Sequence, residues 1–318
     1  MILSARDREH AQALVSRRLG LEFRGSRLRD LEQAVARAAL AEDSLPLATY
    51  LARLAQLPDE SPEWRRLAAD LTVCETYFFR ERPCFDALEE SILPPLIAER
   101  RAQGFPSLRM WSAGCSTGEE PYSLAIVLDR LLPDRSDWTI TILGTDLDVD
   151  ALEQATRAVY REWSFRTLPP GIRERYFRPH GDDFELDPRI REMVRLEPLN
   201  LMADTYPALA SHTTWFDVIL CRNVLMYLTH EAQREVLARL ERSLAPRGWL
   251  AVGFTEAMIE PTGSLVQADV SPGVFLRIEP QPIPPTLPAS ELARAGALPP
   301  LRAPASREAR SVVAREAS

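Results

Sequence analysis

The 318-residue sequence contains no lysine, and all of its 38 basic residues are arginine. Schiff-base chemistry and the phosphate-binding lysine of P-loop proteins are therefore excluded. Acidic residues outnumber basic ones by 46 to 38, which gives a formal net charge of −8. Because no excess of positive charge attracts the phosphate backbone, we expect no nucleic-acid partner.

Cysteine is scarce, and the four cysteines, Cys74, Cys84, Cys115 and Cys221, form no C-x-x-C pair. Neither a disulfide framework nor a metal site is predicted, and a reducing compartment fits best. The sequence also lacks an apolar run near the roughly 18 residues that a membrane span needs. We therefore expect a cytoplasmic protein with no direct membrane insertion. Separately, we expect a monomer.

Hydrophobic residues make up 46% of the chain and charged residues 26%, which is typical of globular proteins. Residues 1–72 carry apolar side chains at three- and four-residue spacing and predict an all-α domain. From about residue 107, short apolar runs alternate with helical stretches. This alternation predicts an α/β domain with a parallel sheet and crossover helices, which we place at residues 73–278.

Two segments depart from this rhythm. Residues 171–198 carry short charged, β-like pieces around a Gly-Asp-Asp turn, which predicts a small inserted antiparallel β-subdomain. Residues 279–318 hold eight of the 26 prolines and no aromatic residue. With so little apolar surface to bury, this segment is predicted to be a disordered tail.

The first strand-to-helix junction of the α/β domain reads WSAGCSTGEEPYSL. Gly114 and Gly118 allow tight turns and close approach of a ligand to the helix start. Glu119 and Glu120 follow at once and disfavour a pyrophosphate, so the junction is not a dinucleotide fingerprint. The two acids suit the hydroxyls, amino group and sulfonium of S-adenosylmethionine, or they only complement the helix dipole.

Polar residues also follow two further strands. Asp146, in GTDLD, would lie at the carboxyl edge of the sheet, where a carboxylate can accept two ribose hydroxyls, while Asp148 is predicted to cap the next helix. The buried strand FDVILC ends at Arg222 and Asn223 and is soon followed by Tyr227. These side chains could meet a carboxylate substrate, or form a surface ion pair beside a core tyrosine.

Five strings in this order resemble the chemotaxis receptor methyltransferases of the CheR type: LTVCETYFFRERP, WSAGCSTGEEPYSLA, GTDLD, EPLNL and FDVILCRNVLMY. The resemblance implies a Rossmann-like methyltransferase domain, an N-terminal helical receptor-recognition domain and an inserted β-subdomain. It also implies S-adenosylmethionine as the methyl donor, and glutamate side chains of methyl-accepting chemoreceptors as acceptors.

Carried over by position, the resemblance implies the cofactor-binding residues Thr76, Arg80, Gly114, Glu120, Asp146, Asn200, Leu201, Arg222 and Asn223. Arg80, Arg222 and Tyr227 would be the catalytic residues, with Arg80 near the acceptor carboxylate. Relatives often carry Asn where this chain has Cys74. A glutamate acceptor needs no general base, because the ordinary pKa of its side chain is about 4.3 and it is ionised at neutral pH.

The basic residues of the N-terminal region suggest how a receptor could be recognised. Six arginines, against three acids between residues 17 and 37, could face acidic methylation helices, or form a solvated amphipathic face; they are Arg17, Arg18, Arg24, Arg27, Arg29 and Arg37. The compact β-subdomain further favours action that needs no receptor tether.

Two other functions remain compatible with the residues. The string G-C-S-T-G satisfies the nucleophile elbow of serine hydrolases, with Ser116 as nucleophile and His212 or His230 as base. A degenerate methyltransferase that only binds cofactor or receptor is the non-enzymatic alternative. The acceptor could also be another protein or a small acid.

Overall fold

A seven-stranded sheet forms the centre of the computed structural model, which describes residues 3–42, 45–59, 61–260, 263–268 and the backbone of 275–278. Five strands run parallel, and two further strands are added at one edge by antiparallel pairing. This confirms the predicted α/β class. In spatial order the strands are β6 (Val194–Pro198), β2 (Thr139–Asp146), β1 (Ser107–Ala113), β7 (Phe216–Cys221), β8 (Leu244–Val252), β10 (Phe275–Ile278) and β9 (Leu265–Ala268).

The strand order places a crevice at the carboxyl ends of the central strands. The chain winds outward on one side through β1, β2 and β6, and on the other through β7 and β8. The order therefore reverses between β1 and β7, which is the position where open α/β sheets bind ligands. All six residues of β7 are buried, as expected for a central parallel strand covered on both faces.

Eleven α-helices are present in the part of the chain that the structure describes. Ser61 caps a helix with Pro62 at its first position, and Asp148 caps another, as predicted for Asp148. The helices are α1 (Ala5–Leu19), α2 (Arg27–Ala41), α3 (Leu47–Leu54), α4 (Pro62–Leu71), α5 (Arg82–Ala87), α6 (Leu93–Ala102), α7 (Glu119–Leu131), α8 (Val149–Arg157), α9 (Ile172–Tyr176), α10 (Pro188–Arg191) and α11 (His230–Ser243).

The N-terminal helices α1–α4 share a hydrophobic core with the sheet. Leu14 and Trp64 from the helices belong to the same buried cluster as Trp111 and Phe216 from the strands. The described residues accordingly form one compact unit. The boundary predicted at residue 72 marks the change from helices to α/β structure, and stays a prediction as a domain boundary.

A small antiparallel sheet is present, but its extent differs from the predicted 171–198. It consists of β3 (Val159–Tyr160), β5 (Asp183–Leu186) and β4 (Phe177–His180), so it also takes residues from before the predicted range. Strand β6, at the end of that range, instead pairs in parallel with β2 of the main sheet. Strand β6 is a half-exposed edge strand with polar side chains, and its sequence therefore resembles that of the predicted β-subdomain.

Among the described residues, no helix is long and apolar enough to cross a membrane. The disordered tail predicted for residues 279–318 lies outside the described residues.

Candidate active site

A cleft of about 950 Å³, including its open mouth, lies at the carboxyl ends of β1, β2 and β7. The cleft brings together all ten residues predicted to form the site, although their individual roles stay predictions. They are Thr76, Arg80, Gly114, Glu120, Asp146, Asn200, Leu201, Arg222, Asn223 and Tyr227.

The turn between β1 and α7 brings the backbone close to the cleft. Gly114 has a φ of +82°, and a Cβ atom there would lie 2.3 Å from Cγ2 of Val224. Only glycine fits such a position without displacing its neighbour. The peptide nitrogens of Gly114 and Cys115 donate to the carbonyl oxygen of Thr145, at 2.7 and 2.9 Å. The turn is thus fixed to the end of β2.

Asp146 ends β2 and accepts two backbone hydrogen bonds. Its Oδ2 accepts from the peptide nitrogen of Ser116 at 2.7 Å, and its Oδ1 from that of Asp148 at 2.9 Å. Burial raises the pKa of Asp146 above its ordinary value, and these backbone donors only partly oppose that effect. Each oxygen retains a lone pair, so the carboxylate can accept two ribose hydroxyls.

The adjacent acids Glu119 and Glu120 have different surroundings. Glu120 lines the cleft; its Oε1 accepts from Oγ of Ser112 at 2.7 Å and its Oε2 from Nη1 of Arg222 at 2.8 Å. Glu119 is buried and accepts from the hydroxyls of Thr117 and Ser164. The expectation that both acids meet a ligand is therefore wrong for Glu119, because successive residues of α7 point in different directions.

The side chain of Arg222 is fully buried between two carboxylates. Nη1 donates to Glu120, while Nη2 donates to the carbonyl oxygen of Arg80 at 2.6 Å and to Oε2 of Glu81 at 3.2 Å. Burial alone would lower the pKa of Arg222, but the nearby acidic groups, Glu120 and Glu81 among them, outweigh burial and raise it. Both terminal nitrogens thus have partners in the protein, and the predicted catalytic role of Arg222 stays a prediction.

Two acidic residues that received no role from the sequence fix the segment after β7. Asn223, with a φ of +57°, donates through Nδ2 to Oε1 of Glu81 at 2.9 Å. Its peptide nitrogen donates to Oε2 of Glu256 at 2.9 Å. Glu256 also accepts from the peptide nitrogens of Gly253 and Met226, at 2.7 and 3.1 Å. The position of Glu256 just after strand β8 is the sequence signal that could have indicated this role.

Arg80 is half-buried, and its Nη1 donates to the carbonyl oxygen of Glu75. Among the described residues, no carboxylate lies within ion-pair distance of its guanidinium. Thr76, four residues earlier, is nearly buried in the wall of the cleft. Arg80 therefore presents a charge that a ligand carboxylate can pair with.

Cys74 contacts the cap of α8. Its Sγ donates to Oδ2 of Asp148 at 3.2 Å. Although the residue as a whole is exposed, desolvation of its thiol, reinforced by this carboxylate, raises the pKa of Cys74 to about 12. The thiol is therefore protonated at neutral pH and is not a nucleophile.

The N-terminal helices complete one wall of the cleft. The guanidinium of Arg27 lies over the ring of Tyr227, 4.9 Å from its centroid, and also over Phe23, at 4.7 Å. The peptide nitrogen of Glu22 donates to the carbonyl oxygen of Tyr227 at 2.8 Å. Sequence reasoning placed Arg27 only in a surface patch, and missed that it lines the cleft.

Asn200 and Leu201 line the same wall. Nδ2 of Asn200 donates to the carbonyl oxygen of Arg18 at 2.8 Å, and its Oδ1 accepts from the peptide nitrogen of Met202 at 2.9 Å. The amide is thereby fixed against the end of α1.

The hydrolase alternative finds no support in the geometry. No hydrogen bond joins Ser116 to a histidine within the described ranges. The carbonyl oxygen of His212 accepts from Nη2 of Arg109, at the start of β1, so His212 lies at the opposite edge of the sheet from Ser116. His230 is exposed at the start of α11.

Comparison with known proteins shows the family to which this chain is similar. Residues 74–272 match the family model described as "CheR methyltransferase, SAM binding domain". Chemotaxis protein methyltransferase 1 of Pseudomonas aeruginosa is 35% identical over 219 residues, which cover 67% of this chain and 77% of the relative. The chemotaxis protein methyltransferase of Vibrio parahaemolyticus is 31% identical over 270 residues, 79% of this chain and 91% of the relative.

A third relative carries a different name. The "Probable biofilm formation methyltransferase WspC" of Pseudomonas putida is 34% identical over 244 residues, which cover 76% of this chain and 54% of the relative. On the family match and these identities, the chain belongs to the CheR methyltransferase family and is an S-adenosylmethionine-dependent methyltransferase.

Proposed function

We propose that this protein transfers the methyl group of S-adenosylmethionine to glutamate side chains of methyl-accepting chemoreceptors. The observation that carries the proposal is the composition of the cleft. Asp146 and Glu120 suit a cationic nucleoside, and the same cleft contains Arg80, whose guanidinium has no carboxylate partner among the described residues. Donor and carboxylate acceptor can therefore meet in one place.

The donor side of the cleft has the polar groups that the nucleoside requires. Asp146 would accept the ribose hydroxyls, Glu120 would face the amino group of the methionine part, and Asn200 and Leu201 would lie beside the adenine. When bound, S-adenosylmethionine supplies a methyl group on a sulfonium, and its transfer to a carboxylate oxygen leaves the neutral thioether S-adenosylhomocysteine.

The acceptor side needs a positioning group rather than a base. A glutamate side chain has an ordinary pKa of about 4.3, so it is already an anionic nucleophile at neutral pH. Arg80 would hold one carboxylate oxygen while the other faces the methyl group, and Tyr227 would limit the direction of approach. Such positioning can supply roughly 7–11 kcal/mol of an activation barrier.

Receptor recognition is assigned to the exposed face of α2. A second, polar groove is lined by Asp30, Gln33 and Arg37, and it shares Arg27 and Val73 with the cleft. An acidic helix docked along this groove would reach the cleft at Arg27. We also propose that the protein acts as a monomer. The proposed recognition surface is therefore smaller than the predicted surface of six arginines.

Four of the six predicted arginines already have partners in the protein, since Arg24 pairs with Glu22 and Arg37 with Asp70. Arg18 pairs with Asp59 and donates to the carbonyl oxygen of Ala55, and Arg27 covers Tyr227. Arg29 and Arg37 remain exposed on α2.

The test of the activity is transfer of labelled methyl groups to a purified receptor cytoplasmic fragment. Arg80→Ala and Tyr227→Phe should each lower turnover about 100-fold while changing the Kd for S-adenosylmethionine less than threefold, because each acts on the acceptor or its approach. A fragment whose methylation-site glutamates are all replaced by alanine is the control. Unchanged turnover in both variants, or equal labelling of that control fragment, would contradict the proposal.

The recognition surface is tested by charge reversal. Arg29→Glu combined with Arg37→Glu should raise the KM for the receptor about tenfold and leave cofactor affinity unchanged, since charge complementarity governs encounter. Arg234→Glu, at an exposed arginine of α11 rather than α2, is the matched control. Equal KM values for the two variants would remove α2 from the recognition surface.

A further inference from the structure

Glu81 joins three segments at the edge of the cleft, yet it is not among the residues that line it. It follows the cleft residue Arg80, and its carboxylate accepts from Arg222 and Asn223 after β7. It also accepts from the peptide nitrogen of Phe254 after β8, at 3.1 Å. Three hydrogen bonds from the protein therefore hold this carboxylate outside the lining of the cleft.

The charges around Arg222 do not balance. One guanidinium lies between two carboxylates, those of Glu120 and Glu81, so the cluster carries a net charge of −1. Arg222 and the donors from Asn223 and Phe254 lower the pKa of Glu81 despite its partial burial, which keeps it ionised. With Glu120 alone, Arg222 would form a neutral pair. Glu81 thus supplies the excess negative charge.

We propose that Glu81 is a positioning residue whose charge makes the cleft prefer the sulfonium of S-adenosylmethionine to the neutral thioether product. Donor and product are otherwise alike except for the methyl group, so a fixed negative charge near the sulfur favours one over the other. The inference rests on the proposed binding of the donor in this cleft, and not on the identity of the acceptor.

The expected size follows from Coulomb's law. At an effective dielectric constant of about 20, the attraction between two unit charges about 10 Å apart corresponds to roughly 15-fold in affinity, and screening by salt reduces this factor. Glu81→Gln keeps the length of the side chain and removes its charge. We therefore expect this substitution to weaken S-adenosylmethionine binding about five- to tenfold, and S-adenosylhomocysteine binding less than twofold.

The experiment is isothermal titration calorimetry of the full chain with both ligands. The quantity compared is the ratio of the two Kd values in the wild type, Glu81→Gln, Glu81→Ala and Glu81→Asp. Asp217→Asn is the matched control, because Asp217 is also a buried carboxylate paired with arginine but lies at the opposite edge of the sheet. The ratio should change in the two neutral variants, return in Glu81→Asp, and stay constant in the control.

Each other outcome has one meaning. Equal weakening of both ligands, or loss of folding in both neutral variants, would make Glu81 a structural residue and overturn the inference. A change of the ratio in Asp217→Asn as well would also overturn it. If the wild type binds neither ligand, the proposed donor site itself is wrong.

Discussion

Both edges of the main sheet carry a buried cluster of arginine and carboxylate, but the proportions are opposite. At the carboxyl edge, one arginine, Arg222, lies between Glu81 and Glu120. At the amino edge, one carboxylate, Asp217, pairs with the guanidinium of Arg100 and accepts from the peptide nitrogen of Arg109 at 2.8 Å. The first cluster has an excess of negative charge and the second of positive charge.

The donors at the amino edge are directed into the protein. The guanidinium of Arg109 donates to the carbonyl oxygens of Thr214 and His212, at 3.3 and 2.9 Å, and lies over Phe216. Burial raises the pKa of Asp217 despite its arginine neighbours, whereas the pKa of Glu81 is lowered. The same residue types therefore make hydrogen bonds within the protein at the amino edge, and place negative charge beside the cleft at the carboxyl edge.

The largest effect is expected from removing the central arginine of the carboxyl edge. Arg222→Met leaves two carboxylates buried without a cation, which should cost about 3–5 kcal/mol of unfolding free energy. Methyl transfer should fall more than 100-fold, because Glu120 loses its orientation. Urea unfolding and labelled-methyl transfer measure the two quantities. Wild-type stability would show that the carboxylates do not depend on this arginine.

A smaller loss is expected at the amino edge. Asp217→Asn removes the charged partner of Arg100 and should lower the unfolding free energy by about 1–3 kcal/mol. Cofactor affinity, measured by calorimetry on the folded protein, should stay within twofold of the wild type. A marked loss of cofactor affinity would erase the distinction between the two edges.

Asp146→Asn tests the donor side of the carboxyl edge alone. The substitution keeps one oxygen acceptor but removes the charge, so the Kd for S-adenosylmethionine should rise about tenfold. Unfolding free energy should change less than in Asp217→Asn, since Asp146 has no arginine partner in the described structure. Calorimetry and urea unfolding of both variants, run together, provide the comparison.

The smallest expected effect is a pH dependence of cofactor binding. Because the pKa of Asp146 is raised in the folded protein, this carboxylate takes up its proton at a higher pH than an ordinary aspartate. Ribose binding needs the ionised form, so affinity should fall about threefold as the pH drops from 7.5 to 5. Asp146→Asn should show a flatter profile. A wild-type profile as flat as that of the variant would exclude Asp146 as the titrating group.

Local signals in the sequence predicted the parts of the site that depend on one segment. The position of Asp146 after a buried strand and the cap at Asp148 both follow from a few neighbouring residues. Glu81 and Glu256 were missed, because their partners come from segments that only the fold brings together. Strand β6 was misplaced for the same reason, since its pairing with β2 depends on distant residues.

The pairing of Leu21 with Leu228 links the helices before the matched family region to the segment that carries Tyr227. The carbonyl oxygen of Gly20 also accepts from the peptide nitrogen of Thr229 at 2.8 Å. A fragment beginning at residue 74 would lose these bonds and part of the hydrophobic cluster that contains Trp111 and Phe216. A chimeric protein built from this chain should therefore contain the N-terminal helices together with the sheet.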